Sequence, residues 1–350
     1  MDGNDKGRSA LPLASLRPET WLRVTPAGLY CEPGGFYIDP VRPVDRAVVT
    51  HGHSDHARSG HAHVLATAET IAIMRQRYGD QAGGAAQAVV CGETVSVRDV
   101  SVRLVPAGHV LGSVQAVIEY RGSRVVISGD YKRRPDPTCA GFEPQPCDLF
   151  VTEATFGLPV FRHPPDAHEI EKLLHSVRLF PERCHLVGVY ALGKCQRLIM
   201  LLRQAGYDEP IWLHGALIGL TELYRSFGID FGRVLPWTDA QPGDFKGGIV
   251  LAPPSALADR WTRRLPEPVT ALASGWMRVK QRAKARNIEL PLVISDHADW
   301  EELTTTLQET EANEVWVTHG REEALVHYAI TRGLAARALA LTGFGEEEGE

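Results

Sequence analysis

The sequence predicts a mixed α/β protein: a strand-rich block, interrupted by a long helix–strand alternation and then resumed. Three observations carry this reading. Short β-branched runs bounded by Gly, Pro and Asp recur from residue 47 to residue 152. Helical stretches alternate with buried strands from about 156 to 290, the pattern of an α/β unit. After 290 the strand-rich character returns. At roughly 150 residues per domain, 350 residues correspond to about two domains. The expected division is therefore 1–155, an inserted 156–290, and a return segment 291–350.

In order, strands are expected at 47–50, 102–105, 116–120, 125–128 and 148–152, with a helix over 69–78. The insertion predicts helices over 167–179 and 193–204 and strands at 185–189, 211–213 and 248–251. The return segment predicts a strand at 292–295, a helix over 300–309, a strand at 315–318 and a closing helix over 321–332. The first twenty residues are polar and aperiodic, and the tail 346–350 is acidic and read as solvated.

Composition excludes several classes. Hydrophobic residues make up 44% and charged residues 23%, ordinary values for a globular chain. No apolar run approaches the roughly 20 residues of a membrane span, and residues 1–6 lack the basic start and apolar stretch of a secretion signal. The expectation is a cytoplasmic protein with no membrane association. Six cysteines at 31, 91, 139, 147, 184 and 195 form no Cys-x-x-Cys pair, so they read as small buried hydrophobes in a reducing compartment. The net charge of −6 means that binding to nucleic acid needs a local patch or a metal.

The histidines are the informative residues. Thr50-His51-Gly52-His53-Ser54-Asp55-His56 directly follows a predicted strand. Clustered imidazoles repel on protonation unless a cation organises them as neutral ligands. Gly108-His109, Gly129-Asp130 and His319-Gly320 repeat the theme at three further strand ends, each with a glycine that allows close backbone approach. Nitrogen and oxygen donors without cysteine favour zinc, manganese or iron over copper(I) or an iron–sulfur cluster. Two such ions can hold a hydroxide and stabilise attacking and leaving oxygens, which makes a hydrolase site.

With its H-x-H-x-D-H signature followed in order by His109, Asp130 and His319, the sequence resembles the metallo-β-lactamase superfamily. The resemblance implies a four-layer αββα sandwich with two divalent metal ions, zinc or manganese, at one edge. It assigns His51, His53 and His109 to one ion and Asp55, His56 and His319 to the other, with Asp130 bridging. Asp39, in Phe36-Tyr37-Ile38-Asp39, would orient a ligand or water rather than bind metal.

About 190 residues separate Asp130 from His319, and this stretch resembles the inserted α/β β-CASP domain of nucleic-acid-cutting members. Glu153 and Ser295-Asp296-His297-Ala298-Asp299 resemble two of its added motifs, and His319 the third. The resemblance makes His297 the general acid or oxyanion stabiliser, tuned by Glu153; together with Asp55 and Asp130 these are the expected catalytic residues. Asp296 and Asp299 are both N-cap candidates for the following helix.

Gly193 and Lys194, between a strand and a helix, are candidate phosphate ligands, as are Ser274, Gly275 and Trp276, with Trp276 a candidate base-stacking residue. Between 260 and 286 there are eight Arg or Lys against the single acid Glu267, a candidate backbone-binding stripe that includes Arg278 and Lys280. Lys132, Arg133 and Arg134 are candidates to flank the same groove. Taken together, the motifs look most like the bacterial DNA ligase-associated exonucleases. That implies a two-metal phosphodiesterase acting on DNA, single-stranded or at ends, in association with a ligase and a helicase. RNA is the rival substrate, since His319 is kept as in RNA-processing members. A small ester or thioester hydrolase is the more distant alternative.

Overall fold

The computed structural model describes residues 16–241 and 243–339; the acidic tail lies outside them. Six short strands form the first sheet: β1 (Leu22–Thr25), β2 (Gly28–Cys31), β3 (Phe36–Ile38), β4 (Arg46–Val48), β5 (His63–Ala66) and β6 (Ala85–Ala88), with α1 (Ala68–Tyr78) between the last two. Pairing is antiparallel over β1–β3 and parallel from β3 to β6. The meander β7 (Thr94–Val97), β8 (Val100–Pro106), β9 (Val114–Tyr120) and β10 (Ser123–Ile127) then starts a second sheet, which β11 (Leu149–Ala154) extends in parallel.

The chain next builds a third sheet with helices between its strands. These elements are α2 (Asp166–Leu179), β12 (His185–Gly188), α3 (Lys194–Gln204), β13 (Ile211–Leu213), α4 (Gly215–Ser226), β14 (Val234–Pro236), β15 (Ile249–Ala252), β16 (Val269–Ala273), α5 (Lys280–Ala285) and β17 (Leu290–Leu292). The strands are all parallel, in the order β14-β13-β15-β12-β16-β17. Finally α6 (Trp300–Glu309), β18 (Glu314–Gly320), α7 (Glu322–Thr331) and β19 (Ala335–Ala338) return to the second sheet, which reads β19-β18-β11-β10-β9-β8-β7.

Three apolar clusters stack these pieces into four layers. Leu29, Ile38, Val48 and Leu65 of the first sheet meet Leu104, Ile118, Val125 and Trp316 of the second. On the outside of the first sheet, Ala47, Val64 and Ala66 meet Ile71 and Met74 of α1. Outside the second, Val117, Val126 and Phe150 meet Leu303, Leu307 and Leu325 of α6 and α7. The third sheet packs its own face against α2, α3 and α4, and the same cluster takes in Ile73 of α1 and Leu111. The inserted sheet is thereby fused to the sandwich rather than hung from it.

Two local expectations differ from the structure. No strand was expected before residue 47, yet β1–β3 form; they are only three or four residues long and too short for periodicity to register. The strand expected at 292–295 lies instead at Leu290–Leu292 and pairs with β16 in the third sheet. The inserted sheet therefore runs past residue 290, and 293–299 is irregular. Asp299 resolves the capping question: its Oδ1 accepts from the N–H of Glu301 and of Glu302, both at 3.0 Å, at the start of α6.

A buried ion triad locks the insertion to the sandwich. Arg197 of α3, fully buried, donates to Asp136 Oδ2 (2.9 Å), in the loop after β10, and to Asp166 Oδ2 (2.6 Å), at the start of α2. Arg197→Met should leave two carboxylates without their cation and cost about 3–5 kcal/mol. It should appear as a lower urea midpoint, and an unchanged midpoint would remove the triad from the stability account.

Candidate metal centre

The centre forms where β4, β8, β10 and β18 end. Asp39, just after β3 and in a left-handed conformation (φ 42°), organises the first loop. Its Oδ1 accepts the N–H of Thr50 (2.8 Å), and its Oδ2 accepts the Thr50 hydroxyl (2.6 Å) and His56 Nδ1–H (2.8 Å).

Proton accounting then fixes the tautomers. Thr50 Oγ1 has given its hydrogen to Asp39, so at 3.1 Å from His51 Nδ1 it accepts. His53 Nε2 lies 3.3 Å from the carbonyl of Leu192, and His109 Nδ1 lies 2.9 Å from the carbonyl of Asp296. Carbonyl oxygens only accept, so these nitrogens carry the hydrogens. The inward nitrogens His51 Nε2, His53 Nδ1 and His109 Nε2 therefore present lone pairs, and His56 Nε2 faces the same space. They are crowded: His53 Nδ1 is 3.2 Å from His51 Nε2 and 2.9 Å from His109 Nε2. Asp130 Oδ2 stands among them, 3.4 Å from His51 Nε2, 3.3 Å from His56 Nε2 and 3.9 Å from His109 Nε2.

Such a set of donors is mutually repulsive without a cation between them. One group, His51, His53, His109 and Asp130, and a second, Asp55, His56 and His319, each have ligand atoms within 4.8 Å of one another. Asp130 Oδ1 is buried and accepts no hydrogen bond from the described residues. Both groups offer the nitrogen and oxygen donors that divalent ions take.

The backbone aims these side chains. Gly108 has φ 74°, and a Cβ there would come within 2.2 Å of the Lys132 carbonyl; Gly129 has φ 55°, and a Cβ would press on the Thr50 side chain at 2.6 Å. His319 is the extra residue of a β-bulge. Glu153 pairs with Thr318 and Ala154 with Gly320, so His319 drops out of the ladder with φ 57° and stacks on His56 at 4.7 Å.

Electrostatics follows the same plan. Burial, reinforced by neighbouring imidazoles, pushes His51 well below the ordinary histidine range, His109 down to about 3 and His319 down to about 4. Burial also works against a charge on His56, but Asp130 and Asp55 outweigh it and hold its pKa well above ordinary. Asp130 stays well below the carboxylate range despite its burial, because His56 and His297 face it. His56 and Asp130 thus favour opposite charges, and a bound cation would take the place of the His56 proton.

Beside the centre, His297 Nδ1 is 3.0 Å from Glu153 Oε2 and 4.0 Å from Asp130 Oδ2. Burial raises the Glu153 pKa above the ordinary carboxylate value. Residues 131 and 132 hold this pair. The Tyr131 N–H donates to Glu153 Oε1 (2.7 Å), and the Tyr131 carbonyl accepts from the Ala298 N–H (2.6 Å). Lys132 Nζ donates to the His297 carbonyl (2.9 Å) and to Glu302 Oε2 (2.7 Å).

Several expected nucleic-acid contacts are corrected by this packing. Lys132, expected to flank a groove, is buried against Glu302. Arg134 is bound to Asp299 and Arg133 to Glu309. Lys194, also buried, is paired with Asp296, and the Gly193 N–H is taken by Gln196 Oε1 (2.8 Å). Ser274 Oγ accepts from the Trp276 N–H (3.3 Å), and Gly275 is buried. Trp276 is enclosed by Phe156 (4.9 Å) and Phe161 (5.1 Å), with the Arg282 guanidinium 4.2 Å from its ring centre; no ring face is open for a base. Arg278 and Lys280 are exposed. The basic stripe is divided: 260–264 lies between β15 and β16 and packs Trp261 near Trp237, whereas 278–286 follows the opposite end of β16. The sequence reading missed the tie of Lys132 to His297. Its position two residues after Asp130 was the available signal.

The comparisons agree with this geometry. Residues 39–183 match the family described as the metallo-beta-lactamase superfamily, and the chain carries a domain of that superfamily with the α/β insertion found in its β-CASP relatives. The chain is 31% identical over 330 residues to a protein named "Probable DNA ligase" from Opitutus terrae, covering 89% of this chain and 30% of that one. It is 40% identical over 101 residues to "Endoribonuclease YSH1" from Candida glabrata, covering 27% of this chain and 13% of that one. The chain thus spans less than a third of either relative. A crystal structure of a protein of unknown function from Enterococcus faecalis V583 shares the fold, with a TM-score of 0.51 and 16% identity over 78% of this chain and 74% of that one.

Asp39→Asn should weaken metal binding by about 10–100-fold, because His56 loses the anion that holds its hydrogen on Nδ1. Competition titration against a chromophoric chelator reads this directly. Wild-type affinity would mean that Asp39 serves the loop alone.

Proposed function

We propose that the protein is a two-metal DNA nuclease, an exonuclease working beside a DNA ligase. The observation that carries the reading is the placement of the Glu153–His297 pair against a centre of seven ligand-type residues. Two divalent ions bound there would lower the pKa of a water molecule and polarise a phosphoryl group. His51, His53 and His109 would hold one ion and Asp55, His56 and His319 the other, with Asp130 shared. His297 approaches the centre from the insertion side. With Nδ1 engaged by Glu153, it delivers a proton from Nε2 to the leaving oxygen, and the Glu153 carboxylate steadies the imidazolium before transfer. Lys132 keeps the ring in place through the His297 carbonyl.

The extent of the similarity supports DNA. The ligase-named relative matches across the insertion, over 89% of this chain, whereas the match to the endoribonuclease covers 27%. The matching part of that relative is about 30% of a longer chain named as a ligase, which supports cooperation with ligation. RNA remains the second reading, favoured by the higher identity of the shorter match. Six unpaired cysteines support a reducing, cytoplasmic setting. No helix among the described residues is long and apolar enough to cross a membrane.

One gel tests the proposal. DNA and RNA single strands of the same sequence, labelled at either end, are incubated with the protein and manganese or zinc. Asp130→Ala, folded but inactive, serves as the control. Stepwise shortening of DNA is expected and reports the polarity; preferential RNA cleavage would transfer the protein to the second reading, and no cleavage with any metal would sink both. His297→Ala should keep its metals by elemental analysis while turnover falls by about 10²–10⁴. Loss of metal in that variant would make His297 a ligand instead of an acid.

A further inference from the structure

The first sheet ends on an open strand. β6 is last in the order β1-β2-β3-β4-β5-β6, and all four of its residues are exposed. The N–H groups of Ala85 and Val89 donate to the carbonyls of Ala62 and Ala66 on the β5 side, at 2.8 and 2.9 Å. Alternation along the strand then turns the N–H and C=O of Ala86 and Ala88 away from β5, toward solvent. Such an edge is a template for another strand, and proteins usually blunt it with charge or proline. The other sheet edges carry these devices. β1 has Arg23, β14 has Pro236, β17 has Pro291 and β19 has Arg337, while β7 lies directly between Glu93 and Arg98. Around β6 the stretch 81–92 holds neither a charged residue nor a proline.

The sandwich is also open on this side. A cleft of about 270 Å³ is lined by Phe36, Val48, Leu65 and Gln87 of the first sheet and Val97 of the second. Residues 79–98, which span β6, the connection and β7, are all exposed or half-buried except Val89, and only Asp80, Glu93 and Arg98 among them are charged. A stable interface takes roughly 20–30 residues from each partner and is depleted of charge at its core. This run alone supplies twenty residues.

The edge is complementary to itself. In an antiparallel pair centred on Gln87, Ala86 of each copy faces Ala88 of the other, and each such pair exchanges both of its N–H···O=C bonds. Only this register matches both outward residues of one copy with both of the other. Sliding the centre toward Ala86 would call on Gly84, whose N–H is already on the His61 carbonyl (2.9 Å). The two-fold axis of the pair is normal to the sheet, so both inner faces stay on one side and the two clefts come mouth to mouth.

We propose that β6 is the interface through which two copies of this chain associate, joining their first sheets across a two-fold axis at Gln87. None of these residues belongs to the metal centre, so the pairing is independent of the nuclease reading.

Sedimentation equilibrium of the full chain over about 1–200 µM tests the association, with thermal melting as the fold control. Wild type should pass from monomer to dimer within that range. Ala86→Lys combined with Ala88→Lys sets like charges opposite each other in both pairs and should weaken the dimer on the order of tenfold. Ala86→Lys combined with Ala88→Glu faces each lysine with a glutamate and should restore it. In a Cys91→Ser background, Gln87→Cys brings its two Cα atoms to about 4.5 Å across the axis and should give an intermolecular disulfide on air oxidation, which Ala85→Cys should not. A monomer at every concentration, a dimer that the double-lysine variant retains, a loss that the lysine–glutamate variant does not relieve, or cross-linking no greater at 87 than at 85 would each overturn the pairing.

Discussion

The rest of the structure depends on the repulsion among inward-facing imidazole lone pairs and the Asp130 carboxylate. They repel one another unless a cation lies among them, and a hydrogen bond on the far side of His51, His53, His56 and His109 fixes each ring. Those acceptors come from separate parts of the fold. Asp39 and Thr50 belong to the first sheet, the Leu192 carbonyl to the turn before α3, and the Asp296 carbonyl to the segment after β17. The insertion therefore completes the centre as well as covering it. Each bond contributes only about 1 kcal/mol net, but together they select one tautomer per ring, and the tautomer determines whether a lone pair or a hydrogen meets the cation.

A second layer of buried charge keeps this arrangement rigid. Lys132 with Glu302, Arg134 with Asp299, Lys194 with Asp296, and Arg197 with Asp136 and Asp166 join the sandwich, the insertion and the 293–299 segment. Burying ion pairs is a poor route to stability, since desolvation offsets most of the attraction. Their value lies in direction. A pair with fixed geometry holds backbone carbonyls such as that of His297 where an apolar contact would let them slide. Fixed donors and dipoles are what a charged transition state requires of its site.

That layer also accounts for the internal pairing of basic residues close to Asp130 and Asp296 in the chain and the fold. Lys132, Arg134 and Lys194 satisfy internal carboxylates, whereas Arg278 and Lys280 are exposed.

The seven ligand-type residues were legible in the sequence because each lies at the end of a strand or in a single loop, where spacing alone sets direction. Many helix and strand positions were likewise legible, but α4, β16 and α5 were not expected from the sequence. Pairings across the fold were not. Lys194 and Asp296 are 102 residues apart, and His109 and Asp296 are 187 apart. A Gly-Lys turn and a Ser-Gly-Trp loop therefore read as exposed anion sites, although the packing of the insertion on α1 and Phe156 had already occupied their donors and rings. Local sequence determined which residues lie at the strand ends and what chemistry they offer. The tertiary structure decided which of them face one another, because hydrogen-bond partnership and burial depend on proximity in space, which spacing along the chain does not encode.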